Sequence, residues 1–397
     1  MKAGTMKKRS ATRRLDRSFE TLEARTMFAS LATVNVGASC SSLVTNGNPE
    51  SGLFSNSATK AKPAAKPEYS YSSVGNVGDK LTAPISGGLA LMGGGTEVDE
   101  AFRWLATKAN GGDFVVLGTS STKYYNNYIS DLASLDSVET LIVPTFAAAN
   151  DPFVYDKIAN AEAIFITGGD QATYVNNWSD SGVEDALYAA LQRDVPIGGS
   201  SAGLAILGDV DFSARISTIS SGEALSNPLD DRITLDKDFL TVDDVSARNT
   251  SLELVDDVIT DSHFMQRDRM GRMLAFMAVM DADNLVPGIP RGIAVNEQTA
   301  LLVEANGSAA VVGNAYSKKR PVGEQQRTVY LLEGAEPATV TGAPLNYSVY
   351  VQSATYNPVT GESDEVDLTS WTVVGADVFD VIASSGVLSS STGSIYG

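Results

Sequence analysis

Near the middle of the chain, Gly198-Gly199-Ser200-Ser201-Ala202-Gly203 stands between an apolar approach, "VPI", and an apolar exit, "LAIL". Three readings compete: a turn that is merely glycine-rich, a phosphate cradle, or a strained elbow that presents a serine. The spacing Gly199-x-Ser201-x-Gly203 is that of a nucleophile elbow on a strand-to-helix turn. There the backbone is strained and neighbouring segments pass too closely for side chains at the flanking positions. A phosphate cradle fits poorly. Neither "LMGGGTE" nor "IGGSSAG" ends in Lys-Ser/Thr, and neither gives G-x-G-x-x-G with an acidic residue in place.

A serine nucleophile needs a base, and the chain holds one histidine, His263. Either His263 activates Ser201 or the elbow uses another kind of base. A lone histidine is usually structural, but this one sits in "TDSHFMQRDRMGRMLAFMAVM", at the mouth of an expected helix. Asp261 stands beside it, and Arg267, Arg269 and Arg272 follow. Steps of two and three do not put three arginines on one helical face, so if they act together the segment begins as a turn. They read either as solvated helix surface or as guanidinium forks for a carboxylate. One histidine and one distant cysteine, Cys40, cannot supply a usual zinc site, and no metal is expected.

Such a site needs elements to position it. "LALM", "DFVVLG" (113 to 118), "ETLIVP" (139 to 144), "EAIFITGG" (162 to 169) and "VPIGG" (195 to 199) read as buried strands ending in small residues. Between the last two, Val183, Ala186, Leu187, Ala190 and Leu191 recur at helical spacing. Strands flanked by helices predict an α/β fold with a mostly parallel sheet covered on both faces. Functional groups in such sheets gather beyond the carboxyl ends of the strands, where the serine motif falls. After about residue 285, "TALLVEANGSAAVVG", "RTVYLLEG" and "YSVYVQSATY" predict additional antiparallel strands toward the C-terminus, within the same domain. The expected organisation is a basic segment at 1–26, a flexible low-complexity linker at 27–80, a catalytic domain at 81–382 and a flexible tail at 383–397.

With 397 residues, 43% of them apolar, the chain can bury a large core. Its formal charge of −19 argues against a duplex nucleic-acid partner, which needs a basic footprint. The first 25 residues are the exception, with eight basic residues against three acidic ones. A basic front, a mildly apolar "MFASLATVNVGAS" and the phrase "FETLEAR", which resembles a sorting segment of exported bacterial proteins, predict export to a periplasmic, cell-surface or extracellular location. The alternative is a plain basic tail. No apolar run is long enough to span a membrane. Cys40 follows "VGAS", a poor lipid-attachment box, and is read as linker; alone it forms no intramolecular disulfide.

In order and approximate spacing, "IFITGGDQ" (164 to 171), "GGSSAG" (198 to 203), "DSHFMQRDRMGR" (261 to 272) and "GIAVNEQTAL" (292 to 301) resemble the cyanophycinase branch of a serine peptidase family, S51, that also contains aspartyl dipeptidases. The likeness runs from about residue 87 to 334. It implies a flavodoxin-like, class I glutamine amidotransferase-like α/β fold, a homodimer, and no metal or organic cofactor. It implies Ser201 as nucleophile, His263 as general base, Glu297 as the residue orienting the imidazole, and an oxyanion hole at Ala202, Gly168 and Gly169. It also implies that Gln171, Asp261, Arg267, Arg269 and Arg272 hold the β-linked Asp-Arg unit of cyanophycin. Two positions depart from the pattern: Ser262 stands where Gln is usual, and Asn296 where Asp commonly precedes the glutamate. The expected activity is exopeptidase hydrolysis of cyanophycin to β-Asp-Arg dipeptides. The alternatives are an aspartyl dipeptidase with the same trio, and an inactive surface module that binds acidic peptides.

Overall fold

The apolar runs of the first half form a wound sheet. After β1 (Ser70–Gly75), strands β2 (Gly88–Met92), β3 (Asp113–Gly118), β4 (Ser137–Ile142), β5 (Ala163–Ile166) and β6 (Ile197–Ser200) are connected through helices. The last five lie parallel in the spatial order β4-β3-β5-β6-β2. Their runs are continuously apolar because both faces are covered. In β3, Phe114 and Val116 pack toward helices Asp99–Lys108 and Tyr125–Leu132. Val115 and Leu117 pack toward helices Pro152–Ala159, Gln171–Trp178 and Gly182–Leu191. Strand β5 repeats the alternation, with Phe165 on the first side and Ile164 and Ile166 on the second.

This computed structural model describes residues 68–76, 78–120, 124–237, 239–241, 249–314 and 327–397. The basic segment, Cys40 and most of the expected linker lie outside the described residues. A short pair, β7 (Asp211–Phe212) and β8 (Leu235–Asp236), follows the serine motif. The remaining strands are β9 (Val258–Asp261), β10 (Arg291–Val295), β11 (Thr299–Glu304), β12 (Ser308–Gly313), β13 (Arg327–Gly334), β14 (Tyr347–Tyr356), β15 (Glu365–Asp367), β16 (Thr372–Val374), β17 (Asp377–Ser384) and β18 (Val387–Ser390). They divide between two sheets. Strands β11, β12, β15 and β16 extend the parallel sheet beyond β2 with antiparallel pairings. The second sheet runs β18-β17-β14-β13-β10-β9, and only its β9–β10 pair is parallel. Helix Met270–Ala282 packs Met273, Phe276, Met277 and Met280 against Tyr330, Val349, Val351 and Val381 of that sheet.

Two expected boundaries are corrected. Ser70–Gly75, placed in the linker by its serines, is an edge strand paired antiparallel with β4 from Ser70↔Ile142 to Gly75↔Ser137. Backbone pairing needs no apolar period at an edge, and Tyr71 anchors the strand by its edge contact with Phe153 at 5.1 Å. At the other end, residues expected to be a flexible tail supply the end of β17, the loop and β18 of a hairpin. Its two loop residues, Ser385 and Gly386, have φ 50° and 77°, the backbone signs that a type I′ turn requires.

Phe165 is fully buried and meets Phe102 at 4.6 Å between ring centroids, in the core on one face of the parallel sheet. Phe165→Ala is expected to lower the unfolding free energy by about 3–5 kcal/mol, read from the midpoint shift in denaturant titration.

Candidate active site

Strand ends from both large sheets converge on Ser201. It follows β6 with φ 56° and ψ −111°, a backbone region that side chains rarely occupy, and opens a single helical turn, Ala202–Ala205. The glycines explain how that geometry is held. A Cβ on Gly199 would stand 2.2 Å from the Gly203 carbonyl oxygen, and one on Gly203 would stand 2.2 Å from that of Ile166. Both obstacles are backbone, so neither can yield. The G-x-S-x-G spacing is therefore a statement about chain crossing. Ser201 N–H donates to the Met92 carbonyl at 3.1 Å, which ties the elbow to the end of β2.

His263 comes from the turn after β9. Its backbone N–H donates to the Gly93 carbonyl at 2.8 Å, and its φ of 47° is also left-handed. The ring lies between two partners. Nε2 is 2.7 Å from Ser201 Oγ, and Nδ1 is 2.8 Å from Glu297 Oε1. Glu297 is supplied by the turn between β10 and β11, where its backbone N–H donates to Gln266 Oε1 at 2.9 Å. The preceding Asn296 is fully buried and accepts the Met265 N–H at 3.0 Å, fastening the histidine segment to the end of β10. Burial pushes the His263 pKa down, Glu297 opposes that shift, and the charges of Arg267 and Arg269 add to it. The net direction is down, so the imidazole is neutral at pH 7 and can accept a proton.

The neighbouring serine is differently placed. Ser200 is buried at 2% exposure and hydrogen-bonded to Glu97, whose carboxyl is pushed up by burial and also accepts the Tyr125 hydroxyl. Gly168 faces the elbow: a Cβ there would be 3.4 Å from Ser201 Cβ and 4.0 Å from its Oγ. Tyr174 Oη donates to the Thr167 carbonyl at 2.9 Å and fills the space a Gly169 side chain would need.

A cleft of about 70 Å³ opens beside Ser201, lined by Gly169, Gln171, Asp261, Arg267, Arg269 and Arg272 among others. The expected site residues therefore meet. The arginine segment begins as a turn, with a 3₁₀ stretch at Met265–Arg267 before the helix at Met270. Asp261 is buried at 3% exposure and engaged on both oxygens. Arg272 Nε reaches Oδ2 at 2.8 Å, while Arg272 Nη2 and Arg269 Nη1 reach Oδ1 at 2.6 and 2.9 Å. Burial would raise its pKa, but the two guanidinium groups hold it below the usual carboxylate range. Arg272 also lies against Phe212 and Phe276, 5.3 and 5.6 Å from their ring centroids, and the two rings stack on each other at 4.5 Å. Ser262 is buried and gives its carbonyl to Arg269 Nη1 at 2.7 Å. Gln171 opens the helix capped by Asp170, and its Nε2 donates to the Phe212 carbonyl at 3.4 Å.

A larger cleft of about 640 Å³ lies at the opposite end of the parallel sheet, lined by Trp104, Glu304 and Val374 among others, away from the sole histidine. Among the described residues, Asp209, Asp256 and Asp257 are grouped closely enough to meet a cation. Lys237 Nζ lies 2.7 Å from Asp209 and supplies a countercharge there.

The glycine run Gly93-Gly94-Gly95 is the part of the site that the residue types did not reveal. A Cβ on Gly94 would stand 2.6 Å from both His263 Nε2 and Cε1, and one on Gly95 would stand 3.2 Å from Glu297 Oε2. The run is a bed for the imidazole and the carboxylate, with Gly94 at φ 86° and Gly95 at φ 82°. Gly94→Ala is expected to displace the ring and lower any Ser201-dependent kcat/KM by about 10²-fold, with the far-ultraviolet circular dichroism spectrum retained.

Residues 91–311 match the family model described as peptidase family S51. The cyanophycinase of Trichormus variabilis is 27% identical over 179 residues, 45% of this chain and 51% of that protein. The cyanophycinase of Synechococcus elongatus is 27% identical over 196 residues, 48% of this chain and 51% of that protein. The chain thus spans about half the length of the curated relatives it matches. A crystal structure of a peptidase from an acI-B1 Actinobacterium aligns over 59% of this chain and 90% of its own, with 17% identity and a TM-score of 0.40. The family match takes in more than half of the chain, including Ser201, His263 and Glu297, and the chain belongs to peptidase family S51.

Proposed function

We propose that this protein is a serine exopeptidase that hydrolyses cyanophycin to β-Asp-Arg dipeptides through an acyl-enzyme. The observation that carries the reading is the continuous relay from Ser201 Oγ to His263 Nε2 at 2.7 Å and from His263 Nδ1 to Glu297 Oε1 at 2.8 Å. Ser201 attacks the scissile carbonyl while His263 Nε2 takes its proton. Glu297 holds Nδ1–H and stabilises the imidazolium that forms. Backbone N–H groups of Ala202 and the Gly168-Gly169 turn receive the oxyanion, where a single donor is worth about 3–4 kcal/mol. His263 then protonates the leaving amine, and an incoming water repeats the sequence to free the acid.

The cleft supports an acidic acyl residue. Three arginines against one aspartate leave it net positive inside a chain of charge −19. Arg272 and Asp261 hold each other, so Arg267 and the outer nitrogens of Arg269 are the groups available to a substrate carboxylate. The same small cleft favours a second reading, an aspartyl dipeptidase, because about 70 Å³ suits one short acidic side chain. Export and homodimer assembly complete the proposal. The first rests on the basic front and "FETLEAR", the second on the family resemblance.

The full chain, incubated with insoluble cyanophycin, β-Asp-Arg peptides and α-Asp dipeptides, is expected to release β-Asp-Arg, and Ser201→Ala with unchanged circular dichroism is expected to release none. Turnover confined to α-Asp dipeptides selects the second reading. Equal turnover by parent and Ser201→Ala removes both.

A further inference from the structure

The turn that carries Arg267 and Arg269 is held by a residue far outside the stretch matched to the family. Helix Met270–Ala282 starts at Arg269 without a side-chain cap, so its first-turn N–H groups need acceptors from elsewhere. Asp268, between the two arginines, has φ 50° and needs support to stay there. Tyr396 meets both needs. Its hydroxyl accepts the Met270 N–H at 3.3 Å and donates to Asp268 Oδ1 at 2.9 Å. Its ring stands edge-on to Phe264 at 5.9 Å and to Tyr330 at 6.1 Å, and its carbonyl accepts the Tyr330 hydroxyl at 3.3 Å. From the other side, Ser221 Oγ donates to the Asp268 carbonyl and accepts the Arg272 N–H at 3.1 Å.

The three residues at the bend are thus bracketed by one hydroxyl. Asp268 and Met270 are its partners, and Arg269 lies between them. The His263 carbonyl accepts the Arg267 N–H at 3.0 Å, but its own N–H is held by the Gly93 carbonyl and its ring by Glu297 and Ser201. Loosening Tyr396 therefore reaches the arginines before it reaches the base.

We propose that Tyr396 is a positioning residue for the anion-binding arginines: its hydroxyl clamps the Arg267–Met270 turn and sets substrate affinity without touching substrate. The kinetic side of this inference rests on the hydrolase reading; the structural side does not. Tyr396→Phe keeps the ring contacts and removes both hydroxyl bonds. In the full chain it is expected to speed amide hydrogen exchange over residues 264–272 and to raise KM for the acidic peptide by about tenfold, with kcat changed less than about threefold. Asp268→Asn keeps an acceptor and tolerates φ above zero, and is expected to match the parent in both measurements. Asp268→Ala is expected to match Tyr396→Phe. Unchanged exchange over 264–272 in Tyr396→Phe overturns the clamp. Faster exchange with unchanged KM, or equal loss in kcat and KM terms alongside a lowered Tm, overturns its role in affinity. If the parent turns over none of the peptides, the hydrolase reading fails by itself and the exchange measurement alone decides the clamp.

Discussion

The backbone of Ser201 is the constraint on which the site depends. A serine at φ 56° and ψ −111° costs about 1–3 kcal/mol and persists only where the surroundings leave no alternative. Here the surroundings are other backbones: Gly199 passes against Gly203, and Gly203 against Ile166 at the end of β5. Packing of the parallel sheet thus forces the elbow, and the elbow lifts one hydroxyl out of the strand toward His263. Ser200, one residue earlier and still in the strand, stays buried against Glu97. Two adjacent serines receive opposite environments from a single change of backbone direction.

Electrostatics follow from that placement. The chain is strongly acidic overall, yet the cleft beside Ser201 is lined by three arginines. Keeping them together requires a buried countercharge, and Asp261 provides it with both oxygens engaged. Removing one partner from such a buried group typically costs about 3–5 kcal/mol, so the ion cluster is rigid in use whatever its net contribution to folding. The resemblance placed Asp261 among the residues that hold substrate. The geometry gives it a prior commitment to Arg269 and Arg272, through which it orders the cleft.

Much of this was legible in the residues. Strands β2 to β6 announced themselves as continuous apolar runs because both faces of the sheet are covered, and the elbow announced itself by its glycines. His263 stood out by being alone. Glu297 came only from the resemblance, since a single glutamate in "VNEQTA" carries no local signal of its partner 34 positions away. The bed formed by Gly93, Gly94 and Gly95 shows in the sequence only as a glycine run that lacks a phosphate-loop ending, because glycine reports that space is needed without saying what fills it. Strand β1 was missed since an edge strand of serines has no apolar period. Tyr396 is hidden because its partners lie 126 and 128 positions away in the chain.

The most direct test of the account is the site and pH dependence of phosphonylation by a small fluorophosphonate, read by peptide mass mapping of the full chain. Only neutral imidazole can take the serine proton, and burial lowers the pKa of His263 below the ordinary 6.5. A Ser201 nucleophile served by His263 gives an adduct on Ser201 and none on Ser200, formed at a rate that is level at neutral pH and falls as pH drops through that lowered value. An adduct on Ser200, or a labelling rate at Ser201 that His263→Ala leaves unchanged, would contradict it.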